Sequence, residues 1–353
     1  MFRYILGGMP SPTAHVIIIG GGQAGLATAH HLQRRGIRAT ILDSSPRPGG
    51  AWPSYYDSLT LFSPARFSSL PGRAFPGDPW SYPARDDVVA YLRDYTSSLD
   101  HEILFGHTAL SVRRERHTFV VATEAGEIRG THVISASGSF RSPHRPFVPG
   151  METFSGQVLH AADYREPLPF RGLRVGVVGS GNSAVQIAAD LAAESEVTLI
   201  SRSPVRWLPQ RPGGRDIHWW LARSGVDRSA WLTSSLPVGT RVIDDGRYRR
   251  ALEAGGVRRL SMAVEVSGPT WRGVDWKRDL DAAILATGYR PHLPYLFDTP
   301  ALDDVGRPRH RAGISTTMPG LGFVGLEFQR TFSSATLRGV GADAEVVLTG
   351  LGL

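Results

Sequence analysis

The sequence predicts an α/β fold made of two Rossmann-like units, the second inserted into the first. Two glycine-rich turns carry this reading, one from Gly20 and one from Gly179, each set between an apolar strand and a helix. A third observation is that two similar strand ends, ISASG at 134–138 and ILATG at 284–288, follow the two turns.

Val16 to Ile19 is a β-branched apolar run, the pattern of a strand buried on both faces of a parallel sheet. Gly20, Gly22 and Gly25 then fall on G-x-G-x-x-G spacing, with Gln23 and Ala24 opening a helix that Gly36 is placed to stop. The first glycine permits the tight turn and the second lets a diphosphate approach the backbone. The third lets helix and strand pack closely, so that the helix N-terminus faces the phosphates. Ala39–Leu42 is the next strand, and Asp43 at its end is the carboxylate expected on an adenosine ribose, with Ser44 beside it. This unit is therefore read as a dinucleotide site.

At 353 residues the chain is long enough for two domains. It has no cysteine, which excludes disulfide scaffolds, thiolate metal sites and a dithiol redox pair. No run reaches the roughly 18–20 apolar residues of a transmembrane helix, and residues 1–13 read as a flexible leader. The net charge is +7, but the basic residues are scattered arginines, with Lys277 the sole lysine. Arginine-rich composition explains that as well as a nucleic-acid partner does. A soluble cytoplasmic protein is expected, with no nucleic-acid or membrane partner; a homodimer is compatible with the composition.

Residues 44–72 form a long Pro-, Gly- and Ser-rich stretch that includes Gly50, Ala51 and Trp52. Its aromatics argue for an ordered loop packed over a cofactor rather than disorder. Residues 86–99 read as a surface helix. Ile103–Phe105, Ala109–Arg113, Thr118–Thr123 and Glu127–Arg129 read together as an antiparallel insertion. A buried strand then ends at Ser137 and Gly138.

In the second unit, Val175–Val178 leads into Gly179, Gly181, Asn182, Ser183 and Ala184, giving G-x-G-x-x-A. After the strand Val197–Ile200 the chain reads Ser201-Arg202-Ser203 in place of an acid. Arginine and hydroxyls suit a 2′-phosphate, pointing to NADPH; the alternative is a solvated loop arginine. FAD at the first turn and NADPH at the second is the natural division. Residues 204–256 hold half of the eight tryptophans, read either as packing for this domain or as a cap over the substrate. The strand ending at Thr287 and Gly288 is read as re-entry into the first unit, followed by the strand 322–326. Residues after Gln329 read as helical to about Leu348, with Gly339 and Gly341 as possible interruptions, and Gln329 is assigned with Ser137, Gly138, Thr287 and Gly288 to cofactor binding. The expected domains are thus 14–165 with 281–353 for FAD, and 166–280 for NADPH.

The residues also carry a resemblance over nearly the whole chain, to the flavin-containing monooxygenases and their bacterial relatives. Residues 154–164 match F-x-G-x-x-x-H-x-x-x-[FYW], and GGGQAG, GGAW, GSGNSA and ATGY stand in the family's order. LFSPARFSSLPG and FSSATLRGVG resemble a bacterial subgroup described as putative monooxygenases associated with arsenic resistance. Two departures stand out: Phe62-Ser63-Pro64-Ala65 replaces an asparagine common in heteroatom-oxidising members, and no Trp-Pro follows Tyr164 as in Baeyer–Villiger enzymes. The resemblance implies FAD, NADPH and dioxygen acting on a small-molecule substrate through a flavin C4a-hydroperoxide. It places the loop after Trp52 at the flavin's reactive edge, making Ser63 and Arg66 the candidate catalytic residues, and it requires no metal. Ser68 in the same loop is read either as part of that site or as a loop closure. A NADPH-dependent flavoprotein reductase without oxygen transfer is the alternative, and a non-catalytic nucleotide sensor a more distant one.

Overall fold

The computed structural model describes residues 15–229 and 241–353. The chain begins with β1 (His15–Ile19), α1 (Gln23–Arg34), β2 (Arg38–Asp43), α2 (Arg85–Ser97) and β3 (Glu102–Phe105). A meander of β4 (Ala109–Glu115), β5 (Thr118–Thr123) and β6 (Gly126–Gly130) follows, then β7 (His132–Ser135). The second unit comprises β8 (Gln157–His160), β9 (Arg174–Val178), α3 (Asn182–Leu191) and β10 (Glu196–Ser201). An excursion holds β11 (Trp207–Pro209), α4 (Ile217–Ser224), β12 (Val242–Asp244) and α5 (Arg247–Ala254). The unit closes with β13 (Arg258–Ser261), β14 (Glu265–Ser267), β15 (Thr270–Arg272), β16 (Lys277–Asp279) and β17 (Ala282–Leu285). Last come β18 (His310–Arg311), β19 (Ile314–Ser315), β20 (Leu321–Phe323) and α6 (Leu337–Gly350).

Two parallel sheets organise this chain. The first runs β18-β19-β20-β7-β1-β2-β3, and the second β13-β10-β9-β17-β8. From β20 to β3 every pairing is parallel, with Ile17 beside Thr40 on one side and Val133 on the other. The apolar run of β1 is buried on both faces, as a central strand of a covered sheet must be. Because β8 to β17 all lie between β7 and β18 in the chain, the second unit is an insertion in the first.

Three expectations need correction. The strand 282–285 does not re-enter the first sheet: β17 pairs in parallel with β9 and β8, and so belongs to the second. Its likeness to ISASG reflects an equivalent post rather than a shared sheet. A Cβ on Gly20 would stand 2.4 Å from Ala136 O, and one on Gly179 2.4 Å from Ala286 O, so each small-residue strand end closes on its own glycine turn. Strand β8 also pairs in the second sheet, so the sheet boundary on that side falls before residue 157 rather than at 165. Secondly, β3 pairs in parallel with β2, leaving only β4, β5 and β6 in the antiparallel insertion.

The third concerns the C-terminus. The last helix starts at Leu337, and Gly339 and Gly341 lie inside it. They do not interrupt it; they let it approach its neighbours. A Cβ on Gly339 would be 1.8 Å from Ser333 O, and one on Gly341 2.4 Å from Pro71 Cγ. Helix α6 packs on α1 in the apolar core under the first sheet, where Leu26, Leu32, Val340, Ala344 and Leu348 are buried together.

Candidate active site

Both glycine turns sit at the C-terminal edge of a parallel sheet, where open α/β folds bind their ligands. A Cβ on Gly25 would stand 1.8 Å from Gly20 O, so helix α1 can lie this close only with glycine there. Gly50 (φ +58°) faces Gly22, with a Cβ on it only 2.7 Å from Gly22 Cα. The GGAW turn thus lies directly against the first glycine turn, with Ala51 and Trp52 in the short turn that follows. Gly325 (φ +90°) covers the same helix end, its added Cβ 2.8 Å from Ala24.

Asp43 is buried, with Gly21 N donating to Oδ2 at 3.0 Å and Ser45 N donating to Oδ1 at 2.7 Å. The carboxylate fixes the loop backbone and keeps further lone pairs for a ribose hydroxyl; Ser44 is half-buried beside it. Helices α1 and α3 begin on Gly22 and Gly181 with no side-chain cap and no acid in the first turn. Their first N–H groups, including those of Gln23, Asn182 and Ser183, therefore suit phosphate oxygens. A cradle that a Cβ would fill and two uncapped helix ends fit one dinucleotide in each unit.

The remaining sequence-assigned residues divide by what they touch. Arg202 is exposed at the end of β10, while Ser201 donates to Ser203 O at 2.7 Å and so shapes the turn. The Ser137 hydroxyl meets Tyr295 OH at 2.9 Å, and that of Thr287 donates to His144 O, so both are held by protein. Gly138 (φ +68°) and Gly288 (φ +80°) have open space where a side chain would stand. Gln329 is buried: its Oε1 accepts from Leu326 N at 3.3 Å, and its Nε2 has no partner among the described residues. His160 donates from Nε2 to Gly288 O at 3.1 Å and accepts from Ala162 N at Nδ1. Burial pushes its pKa down. It is a neutral, structural histidine.

Ser63 and Ser68 place their hydroxyl oxygens 2.9 Å apart, and Ser68 donates to Pro64 O at 2.9 Å. With that single hydrogen used, Ser63 is the donor of the pair. Ser68, fully buried, closes the loop. Arg66 is exposed, its guanidinium 4.8 Å from the Trp80 ring centre and 5.4 Å from that of Phe67.

Sequence reasoning missed a polar cluster that joins this loop to the excursion. Asp216 Oδ1 accepts from His218 N and Nδ1 at 2.8 and 2.9 Å. Its Oδ2 accepts from Tyr82 OH at 2.6 Å and Gln210 Nε2 at 2.7 Å. Although burial opposes it, these donors hold the Asp216 carboxyl below its ordinary pKa. Gln210 also donates to Phe62 O, and the His218 ring stacks near Phe62 and Phe67. Asp216 is the N-cap of α4, and an aspartate opening the IHWWLAR run was the available signal. Trp219 and Trp220 stack edge to face on this helix, with Arg215 over Trp219; Trp231 lies outside the described residues.

Two dinucleotide units in this topology define a two-cofactor flavoprotein oxidoreductase. A family model described as pyridine nucleotide-disulphide oxidoreductase matches residues 17–219. An uncharacterized CzcO-like oxidoreductase of Geobacillus kaustophilus is 32% identical over 94% of this chain and 97% of its own. Indole-3-pyruvate monooxygenase YUCCA1 of Oryza sativa is 29% identical over 85% and 81%. The structure of a flavin-containing monooxygenase from Stenotrophomonas maltophilia is 30% identical, with a TM-score of 0.85 over 96% of this chain and 98% of that one.

The chain belongs to the pyridine nucleotide-disulphide oxidoreductase family and is an FAD- and NADPH-dependent oxidoreductase of the flavin monooxygenase group. Lacking cysteine, it has no thiol pair of its own to carry disulphide chemistry. Among the described residues no helix is long and apolar enough to cross a membrane.

Proposed function

We propose that this enzyme transfers one oxygen atom from dioxygen to a soft heteroatom (sulfur, nitrogen or arsenic) or a carbonyl of a small molecule. Per turnover, substrate, O₂, NADPH and a proton give oxygenated substrate, NADP⁺ and water. The chemistry supplied by FAD when bound is hydride acceptance from NADPH and activation of dioxygen. The protein's own part is to hold the two nucleotides and keep water out. Asp43 and the first glycine turn take the FAD adenosine and diphosphate, and Arg202 takes the 2′-phosphate of NADPH.

The observation that carries this reading is two glycine-turn cradles in a chain with no cysteine, so that the chain offers no thiol pair to take electrons from the flavin. Aromatic neighbours support it: Trp52, Tyr55, Phe140 and Tyr289 follow one another at ring-centre distances of 5.3, 4.5 and 5.0 Å. Such a wall excludes water from a reacting centre. We assign Ser63 and Arg66 as the polar groups of that centre.

The test is a coupling measurement. NADPH and oxygen consumption are followed with thioether, amine, trivalent arsenic and ketone substrates while oxygenated product and hydrogen peroxide are quantified. Product formed in proportion to NADPH supports the proposal. Peroxide alone with every class replaces it with an NADPH-dependent flavoprotein reductase.

A further inference from the structure

The chain crosses between the two sheets after β7 and again after β17, and the two crossings pair with each other. Pro143 bridges Tyr289 in antiparallel fashion. His144 N donates to Gly288 O at 2.9 Å, and Arg290 N donates to Ser142 O at 3.0 Å. This ribbon brings two side chains together, with Arg290 Nη2 3.2 Å from His144 Nε2. A guanidinium can only donate, so the imidazole accepts at Nε2 and is neutral.

Among the described residues no carboxylate is ion-paired with either side chain. The charges acting on His144 are those of Arg290 and Arg202, and with burial as the larger cause they push its pKa down. His160 meets the ribbon at Gly288 O, and Asp163 nearby is ion-paired with Arg145. Arg290 and His144 are therefore in contact, with Arg202 close enough to act on His144 and no carboxylate among the described residues ion-paired with any of the three. Two guanidinium charges acting near one imidazole favour an anion there.

Sheet register says which anion. Val178 lies beside Ile200 on one side and Leu285 on the other. The residues that follow these three strands thus form one edge: Arg202 on one flank, Gly179–Gly181 in the middle, and Ala286–Arg290 on the other flank. A dinucleotide on this edge has its diphosphate at the central glycine turn. Its 2′-phosphate, when present, lies toward the strand that ends at Ser201.

We propose that Arg290 and His144 form a second anion grip for the pyridine nucleotide, binding the diphosphate that NADH and NADPH share, while Arg202 binds the 2′-phosphate. This rests on the second unit being the NADPH site and goes beyond the glycine turn by giving the two sheet crossings a share in nucleotide binding. Neither residue stands out in the sequence, because His144 and Arg290 are distant in the chain and meet only through the ribbon.

The test uses FAD-loaded enzyme and the oxidised nucleotides NADP⁺ and NAD⁺, titrated by calorimetry so that no turnover intervenes. Arg290→Ala is expected to weaken both by a similar factor, about tenfold or more, with Arg290→Lys between it and wild type. Arg202→Ala should weaken NADP⁺ alone. Because a bound diphosphate favours the imidazolium, and the free enzyme holds His144 below the ordinary imidazole value, NAD⁺ affinity should rise as pH falls from neutrality into the acid range. His144→Asn should remove that dependence. NAD⁺ is chosen because it has no 2′-phosphate to titrate. Unchanged binding of both nucleotides in Arg290→Ala, or a loss confined to NADP⁺, overturns the proposal, as does a pH profile that persists in His144→Asn. Binding is measured without oxygen transfer, so failure here is distinct from failure of the monooxygenase reading.

Discussion

Gln23 Oε1 accepts the indole N–H of Trp52 at 3.0 Å, and the other end of the same amide donates to Ala335 O at 2.7 Å. One side chain in the first turn of α1 thereby joins the GGAW loop to the segment that leads into α6. These three pieces converge at the first glycine turn, so loss of the amide should loosen the FAD cradle as a unit.

Gln23→Leu leaves a part-buried indole donor and a carbonyl without partners, at a cost of about 1–3 kcal/mol. The expected result is a lower denaturant midpoint with an unchanged m-value, and weaker retention of FAD on gel filtration. A variant that retains FAD and its midpoint would show that the bridge is incidental.

The excursion docks on the C-terminal helix through an ion pair between Asp227 and Arg338. Asp227 is buried, and burial lowers the Arg338 pKa even against the attraction of Asp227. Removing one partner strands the other, which costs about 3–5 kcal/mol for a buried pair. Arg338→Ala should therefore destabilise strongly, while Asp227→Asn with Arg338→Met should recover most of the loss. A double variant as unstable as the single one would mean that packing, not charge, holds the excursion down.

Asp281 supplies a pH-dependent contribution. Hydrogen bonds from the Arg174 side chain, and then from its backbone N–H, hold the carboxyl down to about 2. A group depressed in the folded state stabilises at pH above its unfolded value near 3.9, and that contribution is lost as pH falls toward 2. The carboxylate is partly exposed, so solvent screening keeps the effect small. Asp281→Asn should flatten the stability curve between about pH 4 and pH 2 and leave its shape near neutrality intact. An acid limb unchanged in the variant would contradict the assignment.

The glycine turns were legible because their requirement is local: a strand, a positive φ, an uncapped helix. Asp43 was legible for the same reason, by its position at the end of β2. Strand 282–285 was misplaced because sequence reports what a strand end must do, here close on a glycine turn, and not which of two equivalent turns it meets. The hydroxyls of Ser137 and Thr287 and the amide oxygen of Gln329 are turned to Tyr295, His144 and Leu326. Such choices depend on partners far along the chain. The Asp216 cluster shows the same limit, since Tyr82, Gln210 and His218 converge only once the excursion has folded onto the loop.

The loop 62–68 carries the last prediction. Ser68 is spoken for by Pro64 O, and Ser63 donates to Ser68, so Ser63 can serve an oxygen at the reacting centre only by giving up that bond. Arg66 stacks on Trp80 and is open to solvent, so its guanidinium is held by the ring while its side-chain N–H groups have no partner among the described residues. Ser63→Ala and Arg66→Ala should leave FAD binding and NADPH-driven flavin reduction close to wild type, and raise the fraction of NADPH that ends as hydrogen peroxide rather than product. Ser68→Ala removes a fully buried closure and should also lower stability, by about 0.5–1.5 kcal/mol for one neutral hydrogen bond. The readouts are the product-to-NADPH ratio and the urea midpoint for each variant. If both ratios match wild type while Ser68→Ala is destabilised, the loop is structural and the assignment of Ser63 and Arg66 falls. If peroxide rises in either variant with its midpoint unchanged, that residue acts at the reacting centre, because a purely structural loss would have lowered the midpoint as well.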